Sequence, residues 1–268
     1  MSPLLQLYLM SVGALLIVAW LFQLLGLLGS FGRRIGDALC RAPLLDVALF
    51  YFTALPAIIG MILQGWPGLA IGIAAQFTAL LIWIALHELT HPNARKGPRI
   101  YRTLNGIVGT GANILGVWWT AWAIPTFWAL RFTEFFVYPV LTRTVRFPKY
   151  KQGEWVNLSR HKFSGLVGYD LIWCLYCDWM TGVWSLGGEM LRNVESFWCP
   201  IRFYSDKKCK NCVVDYPDID DGWVAADGTM EDVTNVLAEK YKKDDKANPW
   251  YGHPARLTVE GEEPKARE

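Results

Sequence analysis

From Leu4 to Leu28 the chain is apolar except for Gln6, Ser11 and Gln23. A helix of that length crosses the roughly 30 Å hydrocarbon core of a bilayer. With no basic segment before it and no small-residue cleavage site after a short apolar core, the run reads as a retained anchor helix rather than a removed signal peptide. The charge distribution extends the same constraint. Residues 1–142 hold 12 charged side chains (8 Lys/Arg, 4 Asp/Glu), against 38 in residues 143–268 (18 and 20). The first half is therefore excluded as an ordinary soluble globule.

Further apolar runs span Leu44–Leu63 and Leu69–Leu89, separated by Gly65-Trp66-Pro67-Gly68, which predicts a helical hairpin with an interfacial Trp. The run Leu104–Ala123 carries Gly106, Gly109, Gly111, Ala112 and Gly116, small residues that let helices approach closely in lipid. Three basic segments frame these runs: Arg33, Arg34 and Arg41; Arg95, Lys96, Arg99 and Arg102; and the stretch Arg143–Lys162, with six bases and one acid. Excess Lys and Arg mark the cytoplasmic side. Placing the last two segments on that side requires Leu104–Thr142 to go out and return, with the bend expected at Pro125. The alternative for the returning leg, which carries Arg131 and Glu134, is an interfacial amphipathic helix. In the last apolar stretch, Leu166–Leu186, the polar residues Asp170, Cys174, Cys177, Asp178, Thr181 and Ser185 share one helical face.

The expected fold is mainly α: a polytopic membrane helix bundle of about four to six transmembrane or interfacial helices with a small Cys-containing cytoplasmic C-terminal domain. The domains are expected at 1–142 (transmembrane), 143–190 (basic linker plus an amphipathic or embedded helix), 191–243 (Cys-rich domain) and 244–268 (extended tail). Thr229 and Asp232, followed by Val233, Val236, Leu237 and Tyr241, predict a capped amphipathic helix. The tail is polar but for Pro249-Trp250-Tyr251-Gly252, an aromatic pair suited to a pocket on a partner or to folding back on its own domain.

The sharpest chemical motif is His87-Glu88-Leu89-Thr90-His91. Residues four apart on a helix share a face, so two imidazoles can share a metal while the adjacent Glu takes a proton from metal-bound water. With four His and 11 Glu in the chain, a shuffled sequence shows this pattern with a probability of roughly 0.003. The alternative is a pair of helix-end imidazoles that cap carbonyls or meet headgroups. The motif resembles that of zinc metalloproteases, the intramembrane site-2 type included. Such a resemblance implies His87 and His91 as ligands and Glu88 as general base. Pro92 follows at once, however, and no downstream segment supplies the family's third ligand. A similar spacing opens the histidine boxes of membrane fatty-acid desaturases and hydroxylases, which need about eight histidines; four are present.

Cysteine supplies a second constellation. Cys174/Cys177 and Cys209/Cys212 are both C-x-x-C pairs, with Cys199-Pro200 between them and Cys40 apart. In a reducing compartment such pairs point to metal or redox use rather than disulfides. The lysine-flanked Cys209/Cys212 pair is the better ligand set, with Cys199 as a third ligand; an iron–sulfur centre, another redox site or free thiols are the alternatives. The Cys174 pair in its apolar helix reads first as small packed hydrophobes. His161, Asp170 and Asp178 complete the candidate metal ligands, since acids within apolar helices are usually paired or functional. The net charge of +2 hides oppositely charged zones and says nothing about nucleic acid; no soluble segment shows a basic face with interleaved aromatics, so no nucleic-acid partner is expected. The expectation is a multi-pass membrane protein, of bacterial inner-membrane type with its C-terminal domain cytoplasmic, that binds zinc or iron and acts as a subunit or assembly component of a larger membrane complex. The alternative is a membrane-embedded metalloenzyme.

Overall fold

The computed structural model describes residues 1–204 and 222–241; among these the chain is mainly helical and has no β-strand. Its contacts group into two units, Met1–Pro125 with Val156–Thr181, and Thr126–Trp155 with Gly182–Glu268.

In the first unit, α1 (Pro3–Leu25) begins where the Ser2 side chain accepts the Leu5 N–H and Pro3 fills the first turn, a position whose N–H has no helical partner in any case. Gly29, at φ 59°, turns α2 (Gly29–Leu39) so sharply that a Cβ on Gly32 would stand 1.8 Å from the Leu25 carbonyl oxygen. The chain then runs through α3 (Leu44–Thr53) into α4 (Leu55–Thr90), which is not one straight rod. Gly65, at φ 62° and ψ −149°, reverses it, a conformation that glycine alone adopts without steric cost. The legs on either side meet backbone to backbone. A Cβ on Gly60 would lie 2.1 Å from the Gly68 carbonyl oxygen, and one on Gly72 would lie 2.3 Å from that of Pro56. These pairs have the register of an antiparallel hairpin, which needs glycine where it is narrowest. Gly68→Ala is expected to force the legs apart at a cost of about 1–3 kcal/mol. Gly116→Ala, where nothing lies within 4 Å, is expected to be neutral or slightly stabilising. Thermal unfolding of the two purified variants separates these outcomes.

The second leg of α4 lies along α1 and runs in the same direction: Tyr8 hydroxyl stands 2.7 Å from Thr78 Oγ1, while Trp20 and Gln23 border a groove with Trp83, His87 and Thr90. This alternation of directions gathers the basic segments at one end of the unit. There Lys162 Nζ is 3.5 Å from Asp37 Oδ1, the Ala42 N–H donates to the Val156 carbonyl (3.0 Å), and the Leu158 N–H donates to that of Cys40 (2.8 Å).

After α5 (Pro92–Lys96), α6 (Ile100–Val108) meets α7 (Thr110–Trp119) at Gly109, where φ is 86° and the bend is 113°. The reversal expected at Pro125 is therefore not there. Pro125 is the second residue of α8 (Ile124–Phe132), within the helical run Thr110–Thr144. A proline fits the first turn of a helical segment, whereas only the glycine tolerates the left-handed break. Asn113 Nδ2 holds α6 against α7 by donating to the Tyr101 carbonyl (3.3 Å) and Asn105 Oδ1 (2.8 Å). Among the described residues, Pro3–Leu39 and Leu55–Thr90 are long and apolar enough to cross a membrane, and the bent pair Pro92–Val108 and Thr110–Thr144 makes a third if it acts as one span. Their exposed large apolar side chains, such as Ile62, Trp119 and Trp122, offer contact to lipid.

In the second unit a π-helical turn, Thr133–Val137, precedes α9 (Tyr138–Thr144) and α10 (Gln152–Trp155). α11 (Gly168–Trp198) supplies its N-terminal half to the first unit and its C-terminal half to the second, continuing through Gly187 and Gly188. Tyr138, Phe147, Tyr150, Val183, Leu186 and Met190 form the apolar part of the core. α12 (Met230–Lys240) is closed by a reciprocal cap: Asp232 N–H donates to Thr229 Oγ1, and Thr229 N–H donates to the Asp232 carboxylate. Those Thr229 hydrogen bonds hold the Asp232 carboxyl below its ordinary range.

Candidate functional site

The last turn of α4 presents His87, Glu88 and His91 to the segment before α6 and to the start of α11. Glu88 Oε1 accepts from Arg99 Nη2 at 2.8 Å and from the Tyr169 N–H at 3.3 Å, while Arg95 Nε lies 4.0 Å from Oε2. Arg99 is fully buried and spans two carboxylates: its Nε donates to Asp170 Oδ2 at 2.7 Å, and its Nη2 also donates to the Val167 carbonyl at 3.1 Å. Asp170 in turn accepts the N–H groups of Ile100 (3.2 Å) and Tyr101 (3.1 Å). Three chain segments remote in sequence are thus held by one guanidinium. Charge-assisted, nearly water-free hydrogen bonds of this kind are the strong ones. The Arg99 Nη1 has no hydrogen-bond partner among the described residues.

The two imidazoles take different tautomers. His87 Nδ1 accepts the Gly168 N–H at 3.2 Å, so in the neutral ring the proton sits on Nε2. His91 Nδ1 lies 2.9 Å from the His87 carbonyl, an acceptor, so it carries the proton and leaves the Nε2 lone pair. The rings are stacked, with centroids 4.3 Å apart and planes 16° from parallel, and Trp83 covers the other face of His87 at 4.7 Å. Imidazole lone pairs lie in the ring plane, so stacked rings do not converge on one ion. To chelate with His91 through Nδ1, His87 must release the Gly168 N–H and turn away from its stacked neighbours. Glu88, paired with guanidinium groups, is not placed as a base toward water.

His161 and Asp178 stand in a second group at the same end of the unit. Asp178 Oδ2 accepts the N–H groups of Ser159 (2.6 Å) and Arg160 (2.9 Å) as well as the Ser159 hydroxyl (3.1 Å), which pins the turn 159–162 against α11. From that turn His161 Nδ1 reaches to 4.0 Å from Cys40 Sγ. Burial, the largest effect, pushes the Cys40 thiol above its ordinary range. In the second unit, Cys199 is exposed at the end of α11, with its N–H donated to the Glu195 carbonyl at 2.8 Å. Cys209, Cys212 and the Trp250-Tyr251 pair lie outside the described residues. Among the described residues, no group of three or more His, Cys, Asp and Glu side chains is arranged to hold one metal ion.

Two features have no counterpart in the sequence reading. One is Arg99, counted there only as a basic loop residue. The other is a buried polar network in the second unit. Arg131 and Glu134, each 1% exposed, form an ion pair beside Gln152, whose Oε1 accepts from Arg131 Nη2 at 3.2 Å. Asn193 Nδ2 donates to the hydroxyls of Tyr150 (2.7 Å) and Tyr138 (3.0 Å), and Arg192 lies 3.7 Å from Glu189. Burial pushes the Tyr150 hydroxyl above its ordinary range. A usable signal was present in the i,i+3 spacing of Arg131 with Glu134 and of Glu189 with Arg192, the spacing at which helical side chains meet.

No family model matches the chain, and no curated protein or solved structure is significantly similar to it.

Proposed function

We propose that the protein is an integral membrane subunit or assembly component of a larger membrane complex, and not a metallohydrolase acting alone. The observation that supports this reading is the engagement of Glu88. The residue that a zinc protease would use as general base is tied to the buried Arg99, and the neighbouring imidazoles stack instead of converging. The motif then serves as a joint between α4, the 99–101 segment and α11. In this reading four to six helices cross or lie in the membrane, the basic end of the first unit faces the cytoplasm of a bacterial inner membrane, and the C-terminal region projects there. Cys199, Cys209 and Cys212 hold one zinc or iron ion, whose binding contributes directly to the folding of residues 196–228.

The test is purification of the intact protein from its native membranes in mild detergent, with co-purifying chains identified and bound metal measured. The expected result is stoichiometric partners and one metal per chain. Cys209→Ser is expected to lose the metal and to open residues 196–228 to protease without releasing the membrane half. A lone chain that cleaves a membrane peptide, and loses that activity on Glu88→Gln, would replace this reading with the metalloenzyme.

A further inference from the structure

We propose that the groove between the last turns of α1 and α4 holds one phospholipid with an anionic headgroup, its phosphate at the basic end of the unit and an acyl chain along the two helices. Ala19, Trp20, Trp83 and Leu86 make the apolar walls, and Gln23 and His87 bring in two polar groups. Gln23 interrupts the apolar run of α1, is exposed, and its side-chain amide has no hydrogen-bond partner among the described residues. His87 accepts the Gly168 N–H on Nδ1, which leaves its Nε2–H likewise without a partner among those residues. A donor facing hydrocarbon with nothing to bond is costly. Gln23 and His87 lie two and three residues from the ends of their helices at Leu25 and Thr90, about 3–5 Å along the axis. That is the level at which the ester and phosphate oxygens of a leaflet can accept from both.

Charge selects the headgroup. The packing of Gly32 on the Leu25 carbonyl sets Arg33 and Arg34 beside the end of α1, and α5 carries Arg95 and Lys96 directly after the end of α4. All four bases are exposed. Arg95 Nε lies 4.0 Å from the carboxylate of Glu88, the residue after His87, so this charge stands at the polar end of the groove. The acids beside these bases are already engaged, Glu88 by Arg99 and Asp37 by Lys162. The surplus of positive charge attracts an anionic headgroup over a zwitterionic one. The apolar walls belong to two helices of membrane-spanning length, where lipid is the surrounding medium and a soluble ligand has no access. The assignment needs those spans, but neither the partner chains nor the metal of the function proposed above.

The experiment mixes the full-length protein in mild detergent with equimolar phosphatidylglycerol and phosphatidylcholine and weighs the intact complexes by native mass spectrometry. The expected species carries one phosphatidylglycerol per chain and is not displaced by glycerol 3-phosphate, which has the charge but no acyl chain. Ala19→Phe, which fills the groove, and Gln23→Leu are expected to abolish it; Gln23→Leu, at an exposed position, carries the test if Ala19→Phe fails to fold. Arg33→Gln and Arg95→Gln are each expected to weaken binding about fivefold, and Lys149→Gln, an exposed base of the second unit, to leave it unchanged. Equal retention of the two lipids, displacement by glycerol 3-phosphate, or a Gln23→Leu protein that binds as the parent does would each overturn the assignment.

Discussion

Arg99→Leu is expected to lower the stability of the first unit by about 3–5 kcal/mol, because it leaves Asp170 and Glu88 without the buried guanidinium that compensates them. For a chain of this size that corresponds to a fall of roughly 6–20 °C in Tm, measured by thermal unfolding of the purified protein in detergent. The size of the effect follows from burial. The Arg99 side chain is wholly shielded and Asp170 is 5% exposed, so water cannot take over the lost bonds. Glu88→Gln keeps an acceptor for Arg99 and is expected to cost less than half as much. The order of the two variants matters more than either value. If Arg99→Leu unfolds with the parent while Glu88→Gln does not, the guanidinium is not the joint that unites α4 with α11, and the structural use of the histidine motif falls with it.

Arg131→Leu is expected to have a similar cost, about 3–5 kcal/mol, in the second unit. Glu134 is 1% exposed and would keep its charge in a core that offers it no water. Limited proteolysis can localise the damage: cleavage should rise within 126–155 and 182–204, while the hairpin around Gly65 stays protected. Replacing Arg131 and Glu134 together by Leu and Met should recover most of the loss, since a buried pair exchanged for well-packed apolar groups is often neutral. Failure of the double variant to recover would mean that the pair holds Gln152 and its neighbours in place by geometry, beyond balancing charge.

Local chemistry sufficed for several elements. Helices long and apolar enough for a bilayer were legible within Pro3–Leu39 and Leu55–Thr90 because composition sets solvent preference residue by residue, whereas the run Leu44–Leu63 is broken at Ala54 into α3 and the first leg of α4. The reversal at Gly65 lay within the predicted Gly65–Gly68 turn because a left-handed backbone has one cheap residue type. The cap at Thr229 and Asp232 depended on atoms three residues apart, and the polar stripe of α11 depended on helical periodicity alone. Other features required the tertiary structure. Pro125 and Gly109 are both plausible breaks in isolation, and the packing of Asn113 on Tyr101 and Asn105 accompanies the break at Gly109. The H-E-x-x-H spacing says that two imidazoles share a helical face; it does not say which nitrogens are free. That was decided by a backbone N–H from Gly168 and a guanidinium from Arg99, 81 residues later and 11 residues later than the groups they bind. Motif spacing is a property of one helix, whereas the protonation and engagement of its side chains belong to whatever packs against it, and that partner is set by long-range contacts that no local pattern encodes.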